Sequence, residues 1–143
     1  MNRIFGRKKD HRDHMVRNLA TSLILYERVD TTAAKAKEVK SFVDQVIARH
    51  KTNDLKTIRS LHSIFFDDKA VDKIINELIP RYQAKNSGFI LSYHLKNRLG
   101  DNSEMIRLEL ADKKVFIAKD KKQLVGEKET ELKTEDKKES TRK

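Results

Sequence analysis

A chain of 143 residues is sized for one domain, and an apolar share of 37% against a charged share of 38% keeps its core small and much of its length wet. No apolar run approaches the roughly 20 residues needed to cross a bilayer, and the basic N-terminus is not followed by an apolar signal core. Cys is absent, which removes disulfides, thiolate nucleophiles and Cys-based zinc sites and fits a reducing compartment.

The net charge is +10, from 32 Lys and Arg against 22 Asp and Glu, and it is unevenly placed. Residues 1–17 carry net +4, residues 18–112 net +2, and residues 113–143 net +4. A nearly balanced body with basic extensions suits a polyanionic partner. For the C-terminal end, a solubility tail is the simpler reading.

Residues 1–10 have no periodicity and read as an extended basic arm. From His11 the pattern is helical: Met15, Leu19 and Leu23 recur every four residues beside Val16, Ala20 and Ile24. That helix ends near residues 26–28. Residues 28–32 favour a short strand leading into a helix from about Ala33 to His50, capped by Asp30, Thr31 or Thr32. Its buried face is Ala36, Val39, Val43, Val46 and Ile47, with Phe42 beside them. Asp54 can cap a third helix with Leu55, Ile58, Leu61 and Phe65 inside. Asp67 or Asp68 can cap a fourth with Val71, Ile74, Ile75 and Leu78 inside, stopped by Pro80.

The period then changes. Phe89, Leu91, Tyr93 and Leu95 alternate with Ile90, Ser92, His94 and Lys96, which predicts a half-buried strand with the first set inward. Residues 99–103, LGDNS, are turn chemistry, and Ile106, Leu108 and Leu110 alternate after them, completing a hairpin. Residues 113–143 are charged and hold only one short apolar patch, too little to offset their ordering entropy, and read as a disordered tail. The domain reading is therefore an arm over 1–10, a globular body over 11–112 and a low-complexity tail over 113–143.

The stretch RKKDHRDHMVRN, residues 7–18, holds five Lys and Arg with His11 and His14 three apart. Two His at that spacing on a helix can share a metal, with Asp10 and Asp13 as oxygen ligands. The cations around them oppose a further cation, and His50, His62 and His94 sit in other elements. Surface His at a helix start is the plainer alternative, and His beside RNA phosphates or bases is a third. Catalysis is poorly served. The four Gly are scattered, so neither a P-loop nor a dinucleotide fingerprint can be written, and there is no nucleophile elbow. Asp67 and Asp68 are more simply helix caps than an acid–base pair. The sequence thus implies no enzyme, no cofactor, no metal, no small-molecule substrate and no membrane partner.

Phosphate oxygens are matched by Arg forks, Lys ammonium groups and helix-start amides. Arg3, Arg7, Lys8, Lys9, Arg12 and Arg17, with Asn18, run into a helix start. Thr31, Thr32, Lys35 and Lys37 make a second helix start. Residues 78–100 hold no acid and carry Arg81, Lys85, Asn86, His94, Lys96, Asn97 and Arg98, with His94, Lys96 and Arg98 on one strand face. A charge run is usually a solvated surface. Three acid-poor patches together point to RNA binding by charge neutralisation.

HRDHMVRNLATSLILYERVDTTAAKAKEVK, residues 11–40, resembles the bacterial large-subunit ribosomal protein L17 family, which shows an HR…RNL…L stretch followed by TT..KAKE. ELIPRYQAKNSGF, residues 77–89, and NRLGDNSEMIRLELAD, residues 97–112, match that family in the same order. The resemblance covers roughly residues 2–112, with an arm several residues shorter than in many members. It implies an α+β body of two layers, about four helices on a small mixed sheet, and a structural constituent of the 50S subunit. It also implies 23S rRNA and neighbouring 50S ribosomal proteins as partners, near the polypeptide exit tunnel, in the cytoplasm. By position the family's basic arm and first helix fall on Arg7, Lys8, Lys9, His11, Arg12, Arg17 and Asn18, and its second helix on Thr31, Thr32, Lys35 and Lys37. A free basic RNA-binding or regulatory module is the alternative.

Overall fold

Helical periodicity sets most of the body. A computed structural model describes residues 3–52 and 54–112, so the tail expected over 113–143 lies outside the described residues. In helix α1 (Lys9–Tyr26) the stripe Ala20, Leu23 and Ile24 is buried, with Val16 and Leu19 packed beside it. Glu27 then takes a left-handed φ of 57°, which turns the chain into strand β1 (Arg28–Thr32).

Helix α2 (Ala33–Arg49) buries Ala36, Val39, Val43, Val46 and Ile47, the stripe read from the sequence. Its expected side-chain cap is not made. Thr32 is still paired with Met105 in the sheet, and the Ala33 N–H donates instead to the Glu104 carbonyl at 3.0 Å. Helix α3 (Leu55–Ile64) follows. His50 ties α2 to it, its Nδ1 lying 2.7 Å from the Val46 carbonyl and its Nε2 2.9 Å from Ser60 Oγ. Leu55, expected inside, is 70% exposed. Leu55 lies at the exposed start of α3, and the helix meets the core through Thr57 and Leu61.

Asp67 caps helix α4 (Asp68–Lys73), accepting the Lys69 N–H at 3.0 Å. The stop expected for the helical rod at Pro80 does not occur. The rod widens into a π turn over Ile74–Leu78, in which the Ile79 N–H donates to the Ile74 carbonyl, and continues as α5 (Ile79–Tyr82). That extra residue in the turn brings Pro80 into the first turn of α5, where its missing N–H and fixed φ are tolerated.

Strands β2 (Ile90–His94) and β3 (Met105–Leu110) complete a three-stranded sheet of order β1-β3-β2. Both pairings are antiparallel, where a mixed sheet was expected. The two-layer α+β class is as read: among the described residues, four helical bodies cover one face of this sheet. Ile106, Leu108 and Leu110 face those helices, and directly paired residues share a face. Ile90, Ser92 and His94 therefore lie on the helix side, and Leu91 and Tyr93 on the open side at 45% and 48% exposure. This inverts the faces expected for β2. Only Phe89 and Ile90 reach the core, because β2 is an edge strand whose far end runs beyond the helices. Among the described residues, no helix is long and apolar enough to cross a membrane.

Candidate nucleic-acid interface

The arm is not extended. Phe5 and Gly6 both take left-handed φ values, and the Arg7 N–H donates to the Ile4 carbonyl at 3.2 Å. Gly6 has no Cβ to oppose that turn. The reversal folds Arg3 onto α2, where its backbone N–H donates to Glu38 Oε1 at 3.3 Å and its Nε lies 3.7 Å from the same oxygen. Arm, α1 and α2 thereby enclose a cleft of about 300 Å³, lined by Arg3, Phe5, Arg12, Arg17, Glu38 and Gln45.

Arg12 is the best held of these cations. Its side chain is 18% exposed, its Nε lies 3.7 Å from Asp13 Oδ1, and that Nε makes no hydrogen bond among the described residues. Arg17 also lines the cleft and reaches past it, with its guanidinium carbon 5.7 Å from the centre of the Phe66 ring. The guanidinium of Arg7 donates to the Met15 sulfur. Lys8, Lys9 and His11 are exposed, and their side chains make no ion pair among the described residues. Asn18 is exposed on α1. The His14 ring stacks on Phe66.

The second helix start adjoins this surface. Lys35 stands one turn ahead of Glu38, on the same side of α2. Lys37 is exposed beside it. Thr31 faces the helices opposite Ile106, and its side chain is buried. Through the Ala33–Glu104 bond the α2 start also meets the hairpin tip. There Arg98 chelates Asp101, at 3.1 Å from Nε and 2.5 Å from Nη2, and the Asn97 amide donates to Asn102 at 3.0 Å. The hydrogen bonds from Arg98 and Ser103 hold the Asp101 carboxyl well below the usual range. Arg98 and Asn97 thus build the turn, and Lys96 is exposed at the tip with no ion pair among the described residues. His94 is exposed on the helix side of the sheet, just inside that tip.

Arg81, Lys85 and Asn86 gather elsewhere. Lys51, past the C-terminal end of α2, donates to Asn86 Oδ1 at 3.0 Å, so this group lies a helix length, about 25 Å, from the α2 start. Arg81 is held inside the fold. Its side chain is 11% exposed, and its Nη2 donates to Glu27 Oε1 at 3.2 Å. Burial by itself raises the Glu27 carboxyl, but hydrogen bonds from Arg81 and Lys73 outweigh it and hold Glu27 below the usual range. Lys85 pairs with Asp112 at 2.5 Å. The run from 78 to 100 is acid-free along the chain but not in space, because Glu27, Asp112 and Asp101 close on its cations from outside it.

Two residues of this surface escape a reading of the sequence. Glu38 looks outward by helical spacing and is the anchor of the arm. Phe66 is invisible to periodicity because it lies in the α3–α4 connection. The FF doublet is its signal: Phe65 is extended (φ −98°, ψ 141°), and neighbours in extended chain point to opposite sides, so one ring of the pair must leave the core.

The surface that results is a string of cations running from the arm and α1 over the α2 start to the hairpin tip, interrupted by Asp10 and Asp13 on α1 and by Glu38, Glu104 and Asp101. It can bind phosphates along a track. A family model described as Ribosomal protein L17 matches residues 15–111. A large ribosomal subunit protein bL17 of Fusobacterium nucleatum is 38% identical over 108 residues, covering 76% of this chain and 93% of that protein. Proteins of the same name from Syntrophotalea carbinolica and Desulfitobacterium hafniense are 38% and 37% identical. The first covers 77% of this chain and 71% of its own length; the second covers 76% and 96%.

Proposed function

Because this chain belongs to the ribosomal protein L17 family, whose members are structural and non-enzymatic, we propose that it is a constituent of the bacterial large ribosomal subunit. Its partners are ribosomal RNA, specifically 23S rRNA, and neighbouring 50S proteins. It works in the cytoplasm, as part of the translating particle, near the polypeptide exit tunnel. That last position rests on the resemblance of residues 11–40 and 77–112 to the family.

One observation in this chain carries the RNA reading. The arm, α1, the α2 start and the hairpin tip are held to one another by the Arg3–Glu38 and Ala33–Glu104 contacts. Cations from three separate segments therefore form one string. Arg3, Arg7, Lys8, Lys9, His11, Arg12, Arg17, Lys35, Lys37 and Lys96 are its RNA-facing groups. Neutralising phosphates of two RNA segments at once lets them approach. The apolar stripes of α1 and α2 supply the rigidity that keeps those cations in place, so little is lost to ordering on binding.

Sedimentation tests this. The protein co-migrates with 50S particles and remains on them through a high-salt wash. Recovery in the ribosome-free supernatant instead identifies a free basic RNA-binding module.

A further inference from the structure

The string of cations has an aromatic component that charge neutralisation does not use. Phe66 is 54% exposed, although its neighbour Phe65 is buried. Its ring lies on the His14 imidazole with centroids 5.1 Å apart and planes 11° from parallel, and the Arg17 guanidinium carbon sits 5.7 Å from the Phe66 centroid. His14 and Arg17 are three residues apart on α1, so both project from one side of the helix. Three planar groups from α1 and the α3–α4 connection are thus assembled at the surface, with His14 and Phe66 exposed and Arg17 half-buried.

A ring exposed to this degree adds little to the core. A protein-docking patch would be broad and apolar, whereas here a single ring is framed by His14 and Arg17, with Arg12 of the same helix in the adjoining cleft. The acids next in the chain are engaged elsewhere: Asp67 accepts the Lys69 N–H, and Asp68 lies 3.2 Å from His62 Nδ1. A flat π-surface edged by cations suits a flat π-ligand that carries a negative charge, which is a nucleotide. Arg17 belongs to both the platform and the cleft, so one cation joins the aromatic surface to the phosphate-binding track.

We propose that His14, Phe66 and Arg17 form a stacking platform for one unpaired base of the bound RNA. This rests on the RNA-binding reading above. It adds that a base, and not only the backbone, is held, and that the RNA is single-stranded where it crosses the α3–α4 connection.

The chain has no Trp, so Phe66→Trp places a single reporter at the platform. On titration with a 23S rRNA transcript its emission is quenched by stacking. Phe66→Ala and Phe66→Leu each weaken transcript binding about 5- to 150-fold, the range for losing one base–aromatic stack. Phe66→Tyr binds like the parent chain, and the slope of log affinity against log salt is the same in all of them. Thermal melting of each variant within a few degrees of the parent shows that the fold is intact. Unchanged affinity in both Phe66→Ala and Phe66→Leu, or Trp emission that RNA does not alter, overturns the platform, as does a change in salt slope. If the parent chain itself fails to bind the transcript, the RNA reading is rejected and the platform falls with it. That outcome is seen before any variant is compared.

Discussion

Glu27 and Arg81 are 54 residues apart in the chain and 3.2 Å apart in the fold. Glu27 ends α1 in a left-handed conformation, and its own carbonyl accepts the Leu110 N–H of β3 at 3.0 Å. Lys73 of α4 joins the pair, reaching Glu27 Oε1 at 3.2 Å and the Leu25 carbonyl at 2.9 Å. One residue thus pins the end of α1 twice, its carbonyl to the sheet and its carboxylate to the helical rod that contains the π turn.

Removing Arg81 leaves the nearly buried Glu27 carboxylate with Lys73 as its one remaining cation among the described residues. Arg81→Met is expected to lower the unfolding free energy by about 3 kcal/mol, read as the urea midpoint at constant slope. The salt dependence of RNA binding should be unaltered. A stable variant with a flattened salt slope would return Arg81 to the RNA-binding surface.

Acid should unfold the protein through the same group. The Glu27 carboxyl titrates lower in the folded state than in the unfolded chain, so its contribution is complete above the ordinary Glu range and is lost as pH falls through the folded value. Asp30 acts in the same direction, lowered chiefly by its hydrogen bonds from Arg107 at 2.7 and 2.8 Å, but it is more exposed and solvent weakens its effect. Asp44 acts oppositely: burial raises its carboxyl despite the Phe89 N–H it accepts at 3.1 Å, so its protonation on acidification favours the fold. Stability measured from pH 6 to pH 3 should therefore fall for the parent chain and fall less steeply for Glu27→Gln. Equal slopes would show that Glu27 is not the group responsible.

The cleft makes a separate prediction for binding. Arg12→Ala together with Arg17→Ala should weaken 23S rRNA binding and reduce the magnitude of the salt slope by about 1.5, two phosphate contacts at roughly 0.7–0.9 each. A slope equal to that of the parent chain would mean that neither side chain meets a phosphate.

Two aspartates of the same apparent type should behave differently. Asp67 accepts an amide at the start of α4, and Asp54 at the start of α3 makes no side-chain cap bond. Asp67→Ala is expected to cost about 1 kcal/mol, and Asp54→Ala no more than a few tenths. Comparable losses in thermal melts of the two variants would contradict the assignment of the cap to Asp67 alone.

Much of the architecture is legible along the chain. The α2 stripe from Ala36 to Ile47, the α1 stripe, the strand at 28–32 and the turn at 99–103 all follow from contacts between residues a few positions apart, which periodicity and turn chemistry encode directly. The family is legible too, because ordered blocks of residues identify it. The rest depends on groups that meet from distant parts of the chain. The face of β2 turned to the core was set by the side on which the helices pack, and that inverted Leu91 and Tyr93. Pro80 was carried through by a π turn whose need arises only in the packed rod. Arg81 was claimed by Glu27, and Phe66 came to rest on His14, because burial and ion pairing act between neighbours in space. No local pattern records which residues those neighbours are.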